Sequence, residues 1–241
     1  MAELPLDENV LAFAVLAACL GVTALSRWVA DTRRAPPGGE SKEEVGKFRK
    51  LFVHAARVKE IEQYQTSKSL RRAYRKNWVE KILASKSYPE ARETIRNLIM
   101  TNTAFLSAVL ISFGLVLSGM GGLMRDGEAF VELKMLSISA LLLYALFMLI
   151  SETRVLNYVP ILFWVDEEVV KKIQGVEKVD YIAKLMDDAF DHFSSSLRAV
   201  FYAVACIFWF FDTLIFMAVI VLLTVIIVAS DLDRRIRITI F

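Results

Sequence analysis

The chain has 241 residues, of which 56% are hydrophobic and 23% are charged, and its formal net charge is +2. Because soluble domains of this length are less apolar, the composition excludes an ordinary globular protein. The two cysteines, Cys19 and Cys206, form no Cys-x-x-Cys motif and exclude a disulfide framework, so we expect no metal site and no cofactor.

Four stretches carry at most one charge and approach or exceed the length that spans a hydrocarbon core of about 30 Å. They are Asn9–Ser26, Asn97–Met124, Met135–Ser151 and Ala199–Ala229. Backbone groups in lipid must hydrogen-bond within their own segment, so each stretch is predicted to be a helix. The sequence therefore predicts an all-α, polytopic integral membrane protein. Its four crossings are expected over about residues 9–28, 97–122, 134–153 and 199–229.

Two charged segments are predicted to form amphipathic helices in the cytoplasm, over about residues 41–96 and 166–197. Apolar residues recur in both at the i, i+3 and i+4 spacing of a helix face. Arg27–Arg96 has 18 basic and nine acidic residues, whereas Glu152–Leu197 has five basic and nine acidic residues. The opposite charges predict helices that dock on each other or across subunits, and two solvated faces near the membrane are an equally acceptable interpretation.

A short uncharged stretch, Val155–Val165, lies between the third crossing and the second charged segment. It is too short to span the membrane, and its aromatic residues Tyr158 and Trp164 suit the headgroup region. It is predicted to be an interfacial turn.

The distribution of basic residues predicts the orientation, because cytoplasmic loops carry an excess of Lys and Arg. The N-terminal tail before the first crossing has none, and the first charged segment has most of them. We therefore expect Ala2 and the Arg125–Glu128 loop outside, and Lys59 and Lys172 inside.

The position of the C-terminus is less consistent with this rule. Four crossings return it to the outside, although three arginines follow the last apolar stretch, at Arg234, Arg235 and Arg237. A break at Asp212 that forms a hairpin would place them inside. A single tilted helix over residues 199–229 is the simpler interpretation and the one we expect.

Polar residues at the start of the second crossing predict either the lining of a pore or hydrogen bonds between helices. Together with two residues of the fourth crossing, the candidate lining residues are Asn97, Thr101, Asn102, Ser107, Asp212 and Thr213. A stripe of small residues, Ala104, Ala108 and Ser112, would allow close approach of another helix.

Asp212 is the only Asp, Glu, Lys or Arg inside the four apolar stretches. A charge there costs about 2.5–3.5 kcal/mol on the insertion scale, so Asp212 should face protein or water. It is either a cation or proton site, for which Asp212→Asn should reduce cation flux, or a neutral structural acid.

A basic cluster in the first charged segment has two interpretations. Its members, Arg71, Arg72, Arg75 and Lys76, are candidate contacts for anionic lipid. Ordinary cytoplasmic flanking charge explains the same residues. The chain has no nucleophile elbow, phosphate-binding loop or metalloprotease motif, so we expect no enzyme.

Several stretches together resemble one family of uncharacterised membrane proteins, known as domain-of-unknown-function family 599. They are Arg75–Val79, Ile95–Ser107, Arg154–Tyr158, Leu197–Tyr202, Trp209–Phe210 and Phe216. The resemblance covers most of the chain except about Asp31–Leu70, which looks like an insertion relative to the family. It implies a four-helix membrane protein with no established activity. The matching polar positions, without assigned roles, are Arg96, Asn97, Arg154, Asn157 and Arg198.

The chain departs from the family pattern at one place. Asp212 and Thr213 stand where the resemblance implies a small residue and a proline. The helix kink that the proline would produce is therefore not implied for this chain.

The leading functional hypothesis is a homo-oligomeric protein that forms a cation-preferring ion pore or transport path in the cell membrane. The alternative is a structural or accessory membrane subunit that binds a protein partner through its charged cytoplasmic helices. The expected partners are the lipid bilayer, further copies of the chain and a protein at the cytoplasmic face, and no nucleic acid.

Overall fold

The fold is taken from a computed structural model. It describes the backbone of residues 6–32, 67–123 and 129–232, and the side chains of residues 8–27, 71–119 and 130–229. The helices are α1 (Leu6–Thr32), α2 (Ser67–Ser85), α3 (Tyr88–Leu123), α4 (Ala129–Leu162), α5 (Glu167–Gln174), α6 (Lys178–Ile207) and α7 (Thr213–Leu232). The described part contains no strand, so the all-α prediction is confirmed there. The helix expected over residues 41–66 lies outside the described residues.

Four helices are long and apolar enough to cross a membrane, as judged by length and composition. The segments are Glu8–Arg27, Tyr88–Gly119, Phe130–Leu162 and Lys178–Phe210. A fifth apolar helix, Thr213–Ala229, is shorter. The multi-pass character predicted from the sequence agrees with these segments, but their boundaries differ in the last part of the chain.

The prediction of one uninterrupted helix over residues 199–229 is wrong, because α6 ends at Ile207 and a separate helix, α7, begins at Thr213. Residues Phe208–Phe210 form a 3₁₀ turn. The backbone N–H groups of Phe211 and Asp212 both donate to the carbonyl of Phe208, each at 3.1 Å. The Asp212 carboxylate then accepts the N–H groups of Leu214 at 2.7 Å and Ile215 at 2.9 Å. Asp212 thus caps the start of α7, which makes a new helix favourable at this point.

The hairpin between α6 and α7 is closed by packing on both sides of the turn. Trp209, 1% exposed, stacks on Phe216 with ring centroids 4.7 Å apart. Farther along, the hydroxyl groups of Tyr202 and Thr224 hydrogen-bond at 2.8 Å. The two contacts require α7 to run antiparallel beside α6, as in the hairpin alternative that the sequence left open.

Hydrogen bonds between helices define the two ends of the bundle. Lys134 Nζ, near the start of α4, donates to the Trp209 carbonyl at 2.9 Å. At the opposite end, Lys178 Nζ donates to the Phe163 carbonyl at 3.0 Å. α4 and α6 are therefore antiparallel, with α2 packed at the Lys178 end. We call this end the α2 end and the other the hairpin end.

Contacts between side chains and backbone also show how α1, α3 and α7 run between these two ends. Asn102 of α3 donates to the Leu149 carbonyl of α4 at 2.9 Å, and Tyr88 lies against Phe163 with ring centroids 5.9 Å apart, so α3 is antiparallel to α4. Arg27, near the end of α1, reaches the Asp191 carbonyl at 3.3 Å. α7 packs against α1 and comes close to α2. Both α1 and α7 therefore end at the α2 end.

The buried apolar residues form two cores, one after the other along the bundle. The first core lies toward the hairpin end and is built from α1, α3, α4, α6 and α7. The second core lies at the α2 end and joins α2 to parts of α3, α4 and α6. Its buried members are Val79, Ile82, Ala91, Ile95, Leu156, Val159, Leu162, Phe163, Ile182, Met186 and Ala189.

The interfacial turn predicted over Val155–Val165 is wrong for most of its length. α4 continues to Leu162, because Leu156 and Val159 are buried in the second core. The turn is confined to the three residues after Leu162, where Lys178 Nζ donates to the carbonyls of Phe163 and Val165.

The predicted docking of the two charged segments is confirmed for α2 and α6. Arg75 and Arg72 both pair with Asp187, which is 6% exposed, and the Arg72 Nε–Asp187 Oδ2 distance is 2.6 Å. Lys76 Nζ lies 2.5 Å from Asp180 Oδ1, and this hydrogen bond raises the pKa of the Lys76 ammonium group. The Arg75 guanidinium also lies 4.9 Å from the centre of the Phe190 ring.

We predict that the C-terminus lies on the opposite side of the membrane from the N-terminus, because α7 returns to the α2 end. Single cysteines at Ala2, at Lys172 and after Phe241 would be labelled from outside intact cells, in a variant that lacks Cys19 and Cys206. With the orientation set by the basic residues, only the cysteine at position 2 should react. Reaction of both terminal cysteines from one side would contradict the hairpin.

We predict that Asp187→Ala destabilises the protein by about 2–3 kcal/mol, less than the ~3–5 kcal/mol for a fully buried ion pair. The substitution removes the partner of Arg75, whose side chain is only 16% exposed. Thermal unfolding in detergent measures the change. Asp188→Ala is the matched control, because Asp188 is exposed on the same helix, and it should leave the melting temperature unchanged.

Candidate functional site: a buried polar layer

Polar side chains from four helices lie at the level where the first core meets the second. α1, α3, α4 and α6 each contribute at least one. The residues are Arg27, Asn102, Glu152, Thr153, Ser195 and Ser196. We call this set the polar layer.

Glu152 lies on the buried seam of α4. Buried residues follow this seam at alternating spacings of four and three, which keep one helix face directed to its neighbours. They are Ile138, Leu142, Ala145, Leu149, Glu152, Leu156 and Val159. Glu152 is the one polar member, and it is 4% exposed. Helix periodicity therefore holds this carboxyl between the helices, away from lipid and solvent.

Asn102 joins α3 to α4 at the same level. Its amide nitrogen donates to the Leu149 carbonyl at 2.9 Å and lies 2.5 Å from Thr153 Oγ1. The side chain is 1% exposed. Since Leu149 and Thr153 are neighbours of Glu152 on α4, Asn102 places a second polar group beside the carboxyl-bearing turn.

Arg27 brings α1 into the layer. Its guanidinium donates to Ser195 Oγ and to the Asp191 carbonyl. Ser195 Oγ in turn donates to that same carbonyl at 2.6 Å. The positive charge is thus held at the helix backbone of α6, about one turn from the level of Glu152.

The register of α4 against α6 shows which part of α6 faces Glu152. The Lys134–Trp209 and Lys178–Phe163 hydrogen bonds fix the antiparallel register at both ends of the contact. Counting between them places Glu152 level with the turn Ala189–Phe193. This turn contains His192, whose Nδ1 is buried.

Three buried atoms near this level make no hydrogen bond within the described part of the chain. They are Glu152 Oε2, Asn102 Oδ1 and His192 Nδ1. Two of the three are oxygen acceptors, and a buried acceptor without a donor costs free energy unless a proton, a cation or water satisfies it. The polar layer therefore has the chemistry to bind a proton or a small cation.

The structure does not bring the candidate lining residues together within one chain. Asn97, Thr101 and Ser107 are exposed on the outer surface of α3. The Thr101 and Ser107 hydroxyls donate to backbone carbonyls of their own helix, at 3.0 and 2.9 Å. Asn102 is buried in the polar layer, whereas Thr213 is buried at the hairpin end.

Asp212 is a helix cap in the described structure. Its carboxylate lies in the turn between α6 and α7 and accepts two backbone N–H groups. The expectation of an acid in the interior of a long apolar helix is wrong, because the helix ends before Asp212. Its hydrogen bonds support the interpretation as a structural acid, for which Asp212→Asn should leave cation flux unchanged.

Three of the four candidate lipid contacts form ion pairs with acidic residues of the same chain. Arg72, Arg75 and Lys76 contact Asp187 or Asp180, as described above. Arg71 is exposed. The carboxylates of α6 therefore compete with lipid for this cluster, and contact with anionic lipid stays a prediction for it.

The polar positions carried by the family resemblance divide between two environments. Arg96, Asn97, Arg154 and Asn157 are exposed on α3 and α4 near the α2 end. Arg198 is half-buried on α6, close to the polar layer.

Sequence analysis did not single out Glu152, because it lies at the edge of the third predicted crossing and begins the charged segment Glu152–Leu197. The spacing of four and three residues continues through Glu152 to Leu156 and Val159. That pattern was the available signal, since it places Glu152 on the same face as Leu149.

The family model described as a protein of unknown function, DUF599, matches residues 51–236. The chain belongs to this family, as the resemblance indicated. The match begins inside the segment that we expected to be an insertion and does not include α1. No curated protein and no solved structure matches the chain.

We predict that Asp212→Ala lowers the stability by about 1 kcal/mol, the usual cost of losing a helix cap. Asp212→Asn should stay close to the unmodified protein, because an amide oxygen can accept the same N–H groups. Thermal unfolding of both variants in detergent measures the difference. Equal melting temperatures for the alanine variant and the unmodified protein would show that the cap contributes nothing.

Proposed function

We propose that this DUF599 family member forms a homo-oligomeric transport path for a cation or a proton in the cell membrane, and that the Glu152 carboxyl binds the ion. The observation that carries the proposal is the burial of Glu152 between helices with one carboxyl oxygen unbonded in the described structure. An ionisable group inside a membrane bundle is costly, and it is most often retained for binding or transfer of an ion. No enzymatic activity is part of the proposal.

The surroundings of Glu152 support a cation rather than an anion as the bound species. Asn102 presents a second unbonded oxygen at this level, and carbonyl and carboxylate oxygens are the ligands of hard cations. The nearby guanidinium of Arg27 donates to Ser195 and to the Asp191 carbonyl. The oxygens of Glu152 and Asn102 are therefore the acceptors available to an incoming ion.

The exposure of α3 supports an assembly of several copies. Among the four long apolar segments, that of α3 is the least buried within one chain. Its outward surface carries Asn97, Thr101 and Ser107, together with the small residues Ala104 and Ala108. Small side chains allow helix backbones to approach closely, so this surface suits contact with a second copy.

The alternative of an accessory subunit has less support from the charged helices. That hypothesis needs free charges on α2 and α6 for a protein partner. Asp187 and Asp180 instead pair with basic residues of α2 in the same chain. Three basic residues of α2 and two acidic residues of α6 are therefore already paired within the chain.

Flux measurements on the full chain in liposomes test the proposal. Proton flux would be followed with an entrapped pH dye and potassium flux by tracer uptake. We expect the unmodified protein to carry one of these ions and Glu152→Gln to abolish that flux, because the amide cannot ionise. Unchanged flux in Glu152→Gln would contradict the role of Glu152, and flux no greater than in empty liposomes would contradict transport of these ions.

Asp212→Asn is the matched control, since it makes the same acid-to-amide change outside the polar layer. It should retain flux, because the capping hydrogen bonds can persist. Loss of flux in this variant, with Glu152→Gln active, would move the ion site to the hairpin end. Particle size in a nanodisc, measured on the same samples, tests the assembly independently of the flux.

A further inference from the structure

Two arginines near the α2 end lie outside the ion pairs that hold the fold. Arg154 of α4 is exposed and has no acidic partner among the described residues. Arg96 of α3 has a side chain that is 67% exposed, and its contact with Glu93 is long, at 3.7 Å, and also exposed. An exposed pair of this kind contributes little, so both guanidinium groups are available to a ligand.

The register of α3 against α4 places the two arginines at nearly the same level. Asn102 bonds to Leu149 and Thr153, and Tyr88 lies 5.1 Å from the Trp164 ring. These contacts put Arg96 level with Asn157, and Arg154 about 4.5 Å away along the axis at the rise of 1.5 Å per residue.

Helix periodicity places Arg96 and Asn157 on the same side of the α3–α4 pair. Phe105 of α3 packs on Phe193 of α6, with ring centroids 5.6 Å apart. At 100° per residue, Arg96 lies on the side of α3 away from Phe105, and Asn157 lies on the side of α4 away from the α6-facing seam. Arg154 lies on the outward ridge of α4. The two arginines thus flank one outer groove.

An apolar wall adjoins these arginines on the side of the first core. Its residues are Met100, Leu110, Ile111, Phe147 and Ile150, each at least 43% exposed. Aromatic residues adjoin them on the other side, where Tyr158 is 58% and Trp164 is 76% exposed. Arg154 lies about 8 Å beyond Leu149, the last first-core residue of α4, which is the depth of a headgroup beside a hydrocarbon layer.

We infer that this outer groove of α3 and α4 binds an anionic phospholipid, with its phosphate at Arg96 and Arg154 and its acyl chains along the apolar wall. Guanidinium groups bind phosphate oxygens well, and Asn157 adds a neutral hydrogen-bonding group at the same level. Exposed aromatic residues at this depth suit the membrane interface. The inference uses no residue of the polar layer, and it concerns different residues from the α2 basic cluster.

The test measures how lipid changes the melting temperature of the purified full chain in detergent. Phosphatidylglycerol should raise it more than phosphatidylcholine, because a ligand that binds only the folded state stabilises it. The double variant with Arg96→Gln and Arg154→Gln should lose the extra increase. The matched control, with Lys171→Gln and Lys172→Gln, removes two exposed charges on α5 and should retain it.

Three outcomes would overturn the inference. They are equal effects of both lipids on the unmodified protein, an unchanged response of the double variant, and a loss of response in the α5 control as large as in the double variant. Glycerol phosphate at the same concentration should give no increase, and a full increase would show binding of phosphate without lipid. If the double variant does not fold, each single substitution is measured by native mass spectrometry, where fewer retained phosphatidylglycerol molecules are expected.

Discussion

The antiparallel contact between α4 and α6 is the constraint on which the rest of the structure depends. It runs through both hydrophobic cores and is held at its ends by Lys134 on the Trp209 carbonyl and Lys178 on the Phe163 carbonyl. With both ends fixed, the register in between cannot slip without exposing a buried seam. Every other helix packs against this pair or its extension into α7, so the levels of the polar residues follow from it.

The polar layer lies at the junction of the two cores. Glu152 is buried there, and burying a carboxyl oxygen without a hydrogen bond costs free energy. At the junction, hydroxyl, amide and guanidinium groups from neighbouring helices occur at the same level, and most of them bond to one another. The oxygens of Glu152 and Asn102 that remain are therefore candidates for an ion.

Glu152 and Asp212 show which part of the candidate site could be predicted from the sequence. Asp212 was expected to be the acid between the helices, but Glu152 has that position in the structure. Asp212 is surrounded by apolar residues in the sequence, yet it caps a helix in a turn, where its carboxylate is satisfied by backbone N–H groups. Glu152 stands at the start of a charged segment, yet helix periodicity carries it into the buried seam. Local hydropathy averages over all faces of a helix, whereas burial depends on which face meets a neighbour. Of the predicted lining residues, Asn102 lies in the polar layer because its face meets α4.

The sequence by itself determined the all-helical class, the long apolar segments and the amphipathic faces of α2 and α6, because length, hydropathy and periodicity are local properties. It also pointed to the family, through several stretches that resemble it. Only the tertiary structure decided that the last apolar run folds into a hairpin, since a straight helix and a capped break are both compatible with Phe208–Thr213 until Trp209 packs on Phe216. It likewise decided which charges pair, because ion pairs such as Arg75–Asp187 join residues that are far apart in the chain.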